Sequence, residues 1–297
     1  MGKKSAIQWT EATWNPFHGC KKVSQGCKFC YMYRDKERYK QDPTKVIRSK
    51  ANFDAPLKWK EPKLIFTCSW SDWFIEEADA WRPELWEIIK KTPQHTYQIL
   101  TKRPERIKQC LPLDWVGGYP NVWIGVSVED QEAAELRIPI LSDVPAAIRF
   151  LSIEPLIGPV DLFSESLKGK TWTPALGDDI VPMLRDSIDW IIVGGESGNE
   201  TGKYQYRECK LEWIYQVVAD CRVSSVPVFV KQFGTHLQKA LGMKERHGGD
   251  IDEFPSALRI REFPKICQHK WASVAIANSD GDHYDICLNC GKENHNV

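Results

Sequence analysis

No window of the 297-residue chain holds the roughly 18 consecutive apolar residues that a membrane span requires. The opening MGKKSAIQWT also lacks the apolar stretch of a secretory signal. These absences argue against membrane-embedded and secreted proteins, so the expected setting is cytoplasmic with no membrane partner. Net charge is missing as well: 40 Lys and Arg balance 40 Asp and Glu, and the total gives no reason to expect bulk nucleic-acid binding. No internal repeat or low-complexity tract is found, which argues against solenoids and disordered tails.

What is present is cysteine, ten in all, and it is not arranged as a secreted disulfide framework. Cys20, Cys27 and Cys30 lie in HGCKKVSQGCKFCYMYR, with Phe29 directly before the last. Three thiolates from one short loop can hold a 4Fe-4S cluster and leave one iron without a protein ligand. A three-cysteine zinc site is the alternative. Near the other end, Cys267 and His269 form one half-site and Cys287 and Cys290 another, a four-ligand pattern expected to bind structural zinc. The remaining Cys68, Cys110, Cys209 and Cys221 are scattered and read as packing residues.

Apolar runs expected to be strands recur at 6–9, 63–68, 96–100, 121–128, 147–153, 189–195 and 226–232. Helical segments are expected between them at 83–91, 129–141 and 210–222. Such alternation predicts an α/β fold of parallel βα units resembling a TIM barrel, over residues 1–236. Residues 237–265 read as an extension or linker. Residues 266–297 read as a zinc-ribbon-like module, too small to fold around a core of its own. Polar groups follow each strand at once: Ser69, Ser71 and Asp72, then Lys102 and Arg103, then Glu129, Glu154, the run Gly194-Gly195-Glu196, and Lys231. In a parallel barrel these strand ends converge on one face.

Charge is distributed unevenly. Residues 1–60 carry 14 Lys or Arg against 5 Asp or Glu, concentrated around and after the first cysteine loop. Such a patch can attract phosphate, although a solvated helix face has the same composition.

The segments IQWTEATWNPFHGCKKVSQGCKFCYMYR, FTCSWSDWF, TPQHTYQILTKRPERI, NVWIGVSVED, FLSIEPLIGPVDL, DWIIVGGESG and VPVFVKQFG span about residues 6–234. In them the chain resembles the phage gp-thirty-seven/gp-sixty-eight-like family, radical-SAM-like proteins of unassigned reaction. Radical SAM enzymes usually show C-x3-C-x2-C; here the first gap is longer, and Gly19 and Gly26 are expected to supply the turns that fold it back. The resemblance implies that Cys20, Cys27 and Cys30 bind three irons while S-adenosylmethionine chelates the fourth. One-electron reduction would then release methionine and a 5′-deoxyadenosyl radical. It further implies that Ser69, Ser71 and Asp72 stand where the family orients the methionyl amine, with Asp72 alternatively an exposed turn cap. Ser127, Glu129, Glu154, Gly194, Gly195 and Glu196 would surround the nucleoside. Lys102, Arg103 and Lys231 would offer charge to a substrate carboxylate or phosphate, or else pair with Glu129 or Glu154. An electron donor such as a flavodoxin or ferredoxin is implied as a partner, and a nucleobase or nucleic acid is a candidate substrate. Two rival readings are a non-catalytic metal-binding module that recognises nucleic acid or a protein, and a hydrolase using Asp72, Glu129 and Glu154 with a divalent metal.

Overall fold

The computed structural model describes residues 4–167, 183–200, 202–265, 271–275, 283–287 and 293–294. In chain order the strands are β1 (Ala12–Thr13), β2 (Phe17–His18), β3 (Ile47–Arg48), β4 (Leu64–Thr67), β5 (Thr96–Thr101), β6 (Val122–Ser127), β7 (Ile148–Ile153), β8 (Trp190–Gly194), β9 (Val228–Gln232), β10 (Trp271–Ala275), β11 (His283–Cys287) and β12 (Glu293–Asn294). The helices are α1 (Tyr31–Arg38), α2 (Arg82–Lys90), α3 (Ile107–Cys110), α4 (Gln131–Ser142), α5 (Met183–Ser187), α6 (Leu211–Val223) and α7 (Gly234–Ala240). Six of the seven expected strands form within a residue or two of their predicted bounds. The exception is 6–9, where Trp9 turns inward to plug the sheet and the pairing position passes to β1.

The main sheet has seven parallel strands in the order β1-β4-β5-β6-β7-β8-β9. It is strongly curled. The Trp9 ring lies 4.7 Å from Phe66 on β4 and 6.3 Å from Trp190 on β8, centroid to centroid. In a flat sheet four strand spacings would hold those two strands about 19 Å apart. Curling stops short of closure: among the described residues β1 and β9 do not pair, so the expected closed barrel is an open half-barrel. The β9 edge is instead covered by the segment expected to be a linker. Val230 N–H donates to the Ile260 carbonyl at 2.9 Å and Glu262 N–H to the Val228 carbonyl at 3.0 Å. Phe254 stacks on Phe233 at 4.3 Å, and Leu258 is fully buried.

Strand alternation divides the side chains into two sets. Ile65, Ile99, Ile124, Leu151, Ile191 and Val230 face outward into the larger core, against the helices. Helix α6 contributes Ile214, Val217, Val218 and Cys221 to that layer at three- and four-residue spacing. Helix α4 starts where the Asp130 carboxylate accepts from Ala133 N–H at 2.9 Å. The inward set is a second cluster of Trp9, Phe66, Trp123, Phe150, Trp190 and Phe229, packed mostly edge-on or tilted. Gly125 sits opposite Phe150 because a β-carbon there would come within 2.6 Å of the ring. This aromatic floor closes the lower part of the half-barrel.

At the C-terminal end, β10, β11 and β12 form a separate antiparallel sheet in which β11 pairs with both β10 and β12. Cys267, His269 and Cys290 lie outside the described residues. Cys287 ends β11, and its side chain is likewise outside what is described.

Candidate functional site

Above the aromatic floor the inward-facing residues become small and polar. By strand parity Leu100, Gly125 and Phe150 are followed by Ser127 and Ser152, and then by Glu154 and Gly194. This mouth lies at the C-terminal ends of the strands, where the sequence placed the site. Ser152 belongs to it and was not anticipated, since no strand-end signal marks it.

The cysteine loop lies across this mouth and is tied to four strand ends. Gly19 N–H donates to the Trp70 carbonyl at 3.0 Å, and Ser71 Oγ donates to the Gly19 carbonyl at 2.6 Å. Tyr31 Oη donates to the Ser69 carbonyl at 2.5 Å, and Ser69 Oγ accepts from Asn15 at 2.9 Å. Arg103, just past β5, donates to the Lys21 carbonyl at 2.9 Å. Ser24 Oγ donates to Glu129, past β6, at 2.8 Å. Arg207 donates to the Gln25 carbonyl at 2.8 Å while forking onto Glu196, past β8, at 2.5 and 2.8 Å. The longer Cys20–Cys27 gap is therefore an anchored element.

The two glycines of this loop do different work. Gly19 adopts φ +103° and lies against the Lys45 carbonyl, so it is the tight turn expected. Gly26 has no unusual φ; a β-carbon on it would overlap the Glu129 side chain. Gly26→Ala is accordingly expected to lift the loop, cost about 1–3 kcal/mol and speed tryptic cleavage at Lys21, Lys22 and Lys28. Unchanged cleavage would show that Glu129 yields instead.

Cys27 is buried, and Cys20 and Cys30 are half-buried. Burial pushes the Cys20 thiol up to about 12, with Asp72 adding to the rise and the Arg103 guanidinium, 3.8 Å from the sulfur, opposing it. Burial also raises Cys30, against the pull of the Met32 and Tyr33 amides at the start of α1, where Cys30 is the N-cap. Ser24 Oγ lies 3.8 Å from Cys27 Sγ. The three sulfurs are close enough for Cys20 and Cys30 each to feel the charge of Cys27. Among the described residues no three His, Cys, Asp or Glu side chains converge tightly enough to hold a single metal ion. A cubane cluster spaces its sulfurs more widely than one ion does.

The polar residues expected to meet a nucleoside or substrate are joined to one another. Asp72 is buried and accepts from Thr101 Oγ1 at 2.7 Å, Lys102 N–H at 2.9 Å, Phe74 N–H at 3.0 Å and Arg103 at 3.1 Å. It caps a turn, but a buried one, and four donors already occupy its oxygens. Glu129, 1% exposed, pairs with Lys102 and, at 2.8 Å, with Arg137. Burial alone would raise its pKa, but the charges of Lys102 and Arg137 outweigh that and hold it below the ordinary value. Glu154 accepts from Lys231 at 2.6 Å and Gln232 at 3.2 Å. A bulge between Val193 and Gly194 lets these consecutive β9 residues reach the same oxygen. Lys102, Arg103 and Lys231 thus stand at the expected mouth, each paired with a carboxylate, and Lys102 shares its partner with Arg137.

A β-carbon at Gly195 would meet the Phe233 carbonyl and one at Gly194 would crowd Gln232, so both glycines let the chain's own backbone approach closely. Ser127 is buried at the end of β6, where its carbonyl accepts from Arg137 at 2.7 Å. Arg137 and Arg207 were missed by sequence reasoning. Arg137 sits at a core position of α4, where a lone cation on an apolar face is the available signal; Arg207 lies in a loop without periodicity. Two grooves of about 660 and 880 Å³ lie elsewhere, one beside α2 and one at the opposite end of β6–β8, and neither includes the cysteine loop.

No helix among the described residues is long and apolar enough to cross a membrane. No curated protein and no solved structure matches the chain. The model of one family, described as a protein of unknown function (DUF5131), matches residues 4–285, from before β1 to within β11, and the chain belongs to that family.

Proposed function

We propose that the chain is a radical SAM enzyme in which Cys20, Cys27 and Cys30 hold a 4Fe-4S cluster. The observation that carries this reading is the cysteine loop pinned over the C-terminal mouth of a parallel half-barrel, above small polar residues. The donor set fits the group: three soft sulfur donors from one ordered loop, with a guanidinium and a helix N-terminus beside two of them that oppose the rise burial imposes on their thiols. Bound there, the cluster would supply the electron for reductive cleavage of S-adenosylmethionine.

The surrounding residues would hold and shield. Asp72 and Glu129 act as positioning residues for the loop, since their oxygens are engaged by the protein. Ser127, Ser152 and Glu154 face the space where a nucleoside and a substrate would lie. Phe150 and Trp190 close the floor and exclude water from below. A flavodoxin-like or ferredoxin-like donor in the cytoplasm would reduce the cluster, and Cys267, His269, Cys287 and Cys290 would hold a structural zinc. The hydrolase reading is less well supported, because Asp72, Glu129 and Glu154 each bind a separate cation of the chain.

Anaerobically reconstituted, dithionite-reduced protein is expected to convert S-adenosylmethionine to 5′-deoxyadenosine and methionine, resolved by liquid chromatography, and Cys20→Ala should make none. Wild-type protein with a full complement of iron and sulfide and no 5′-deoxyadenosine would overturn the reading.

A further inference from the structure

We propose that the rim of this mouth binds single-stranded nucleic acid, with phosphates on the rim and a base directed into the half-barrel. Only the fate of the base rests on the radical chemistry proposed above; binding does not.

The first observation is where charge is free and where it is not. Inside the mouth Lys102, Arg103, Lys231 and Arg207 each reach a carboxylate, with Glu129 shared between Lys102 and Arg137, and the inward-facing Ser127 and Ser152 are buried and uncharged. Counting Arg137, five cations meet four carboxylates there, an excess of one positive charge. Outside, the excess is larger. Residues 20–50, which form the cysteine loop, α1 and the segment through β3, carry ten Lys or Arg against three Asp or Glu. Lys22, Lys28, Lys40 and Lys45 are exposed, and none has a carboxylate within ion-pairing distance among the described residues. The geometry thus suits a ligand that keeps most of its negative charge on the rim while a polar part enters.

The second observation is aromatic. Six of the nine cation–ring contacts among the described residues fall on the two segments flanking the loop, so cations and rings alternate there. Lys22 lies 4.7 Å from the Tyr33 ring, and Lys28 and Arg207 lie 5.2 and 5.4 Å from Phe29. The facing segment brings Tyr204, with Lys203 at 5.2 Å, and is held to α1 by the Lys203–Glu37 ion pair at 2.6 Å. Tyr31 and Tyr39 are 44% and 65% exposed. Cations that track a backbone, interleaved with rings on which bases stack, are what single strands require. A polyacidic protein would use the cations and leave the rings without a role.

The test is fluorescence anisotropy of labelled 20-nucleotide DNA and RNA strands titrated with the full-length, cluster-free protein. Binding is expected to weaken with salt, and Lys22→Glu/Lys28→Glu should weaken it and lower the log–log salt slope by about 2. Tyr39→Ala should weaken binding without changing that slope. Arg185→Glu/Lys265→Glu, at the far end of the strands, is a charge-matched control expected to leave affinity unchanged. Preference between DNA and RNA identifies which strand is bound. No binding at low salt, equal weakening by Arg185→Glu/Lys265→Glu, tighter binding of a duplex, or equally effective competition by polyglutamate would overturn the proposal. None of these outcomes bears on whether the protein cleaves S-adenosylmethionine.

Discussion

Glu129→Ala is expected to destabilise the protein by about 3–5 kcal/mol, the range for breaking a buried ion pair and leaving its partners uncompensated. The carboxylate is 1% exposed and is shared by Arg137, 5% exposed, and Lys102. Its loss would strand two cations and remove the acceptor for Ser24. Urea unfolding of the cluster-free protein measures the effect, and tryptic cleavage of residues 20–31 should accelerate in the native state, because the loop loses its central anchor. A loss below about 1 kcal/mol would mean that Lys102 and Arg137 find other partners. The same group sets a pH dependence. A carboxyl whose pKa is lower in the folded state contributes stability above its unfolded pKa and loses it as pH falls through the folded value. Stability from Glu129 is therefore expected to be intact near neutrality and to decline below about pH 4.5, the ordinary glutamate value. Glu129→Ala should flatten that acid limb.

Arg103→Met is expected to be as disruptive, for a related reason. The guanidinium reaches Asp72 at 3.1 Å, the Lys21 carbonyl at 2.9 Å and Cys20 Sγ at 3.8 Å, joining the loop after β4, the end of β5 and the cysteine loop. Removing it leaves the buried Asp72 charge to neutral donors and should cost about 3–5 kcal/mol. A double-mutant cycle with Asp72→Asn should return a coupling of at least about 1 kcal/mol. The same variant removes the cation that opposes the upward push on the Cys20 thiol, so alkylation of Cys20 by iodoacetamide at fixed pH should slow. Additive stabilities and an unchanged alkylation rate would show that Arg103 merely fills space.

Strand positions were legible because β4–β9 are short apolar runs bounded by polar residues, a pattern set by burial on both faces. The first strand was not. AIQW has strand composition, yet Trp9 lies in the inner aromatic cluster with its ring against Phe66, a tertiary contact that local pattern cannot encode. Closure was also beyond reach, since edge pairing depends on curvature; the curl is set here by rings meeting across the floor and by Gly125 making room for Phe150. The candidate site was legible as a set of strand-end residues, while their relations were not. Composition placed Lys102, Arg103 and Lys231 at the mouth, but only the register of neighbouring strands and the bulge at β9 decide that each meets a carboxylate. Arg207 lies 11 residues from Glu196 and reaches it, and Gln25, because the chain after β8 turns back over the cysteine loop.

The central claim is that Cys20, Cys27 and Cys30 leave one iron of a 4Fe-4S cluster open to S-adenosylmethionine. Its most direct test is the electron paramagnetic resonance spectrum of the reconstituted, reduced protein, recorded with and without S-adenosylmethionine. The account predicts a 4Fe-4S signal that changes on adding S-adenosylmethionine and is absent from Cys30→Ala. Zinc at the three cysteines with no such signal, or a cluster signal indifferent to S-adenosylmethionine, would contradict it.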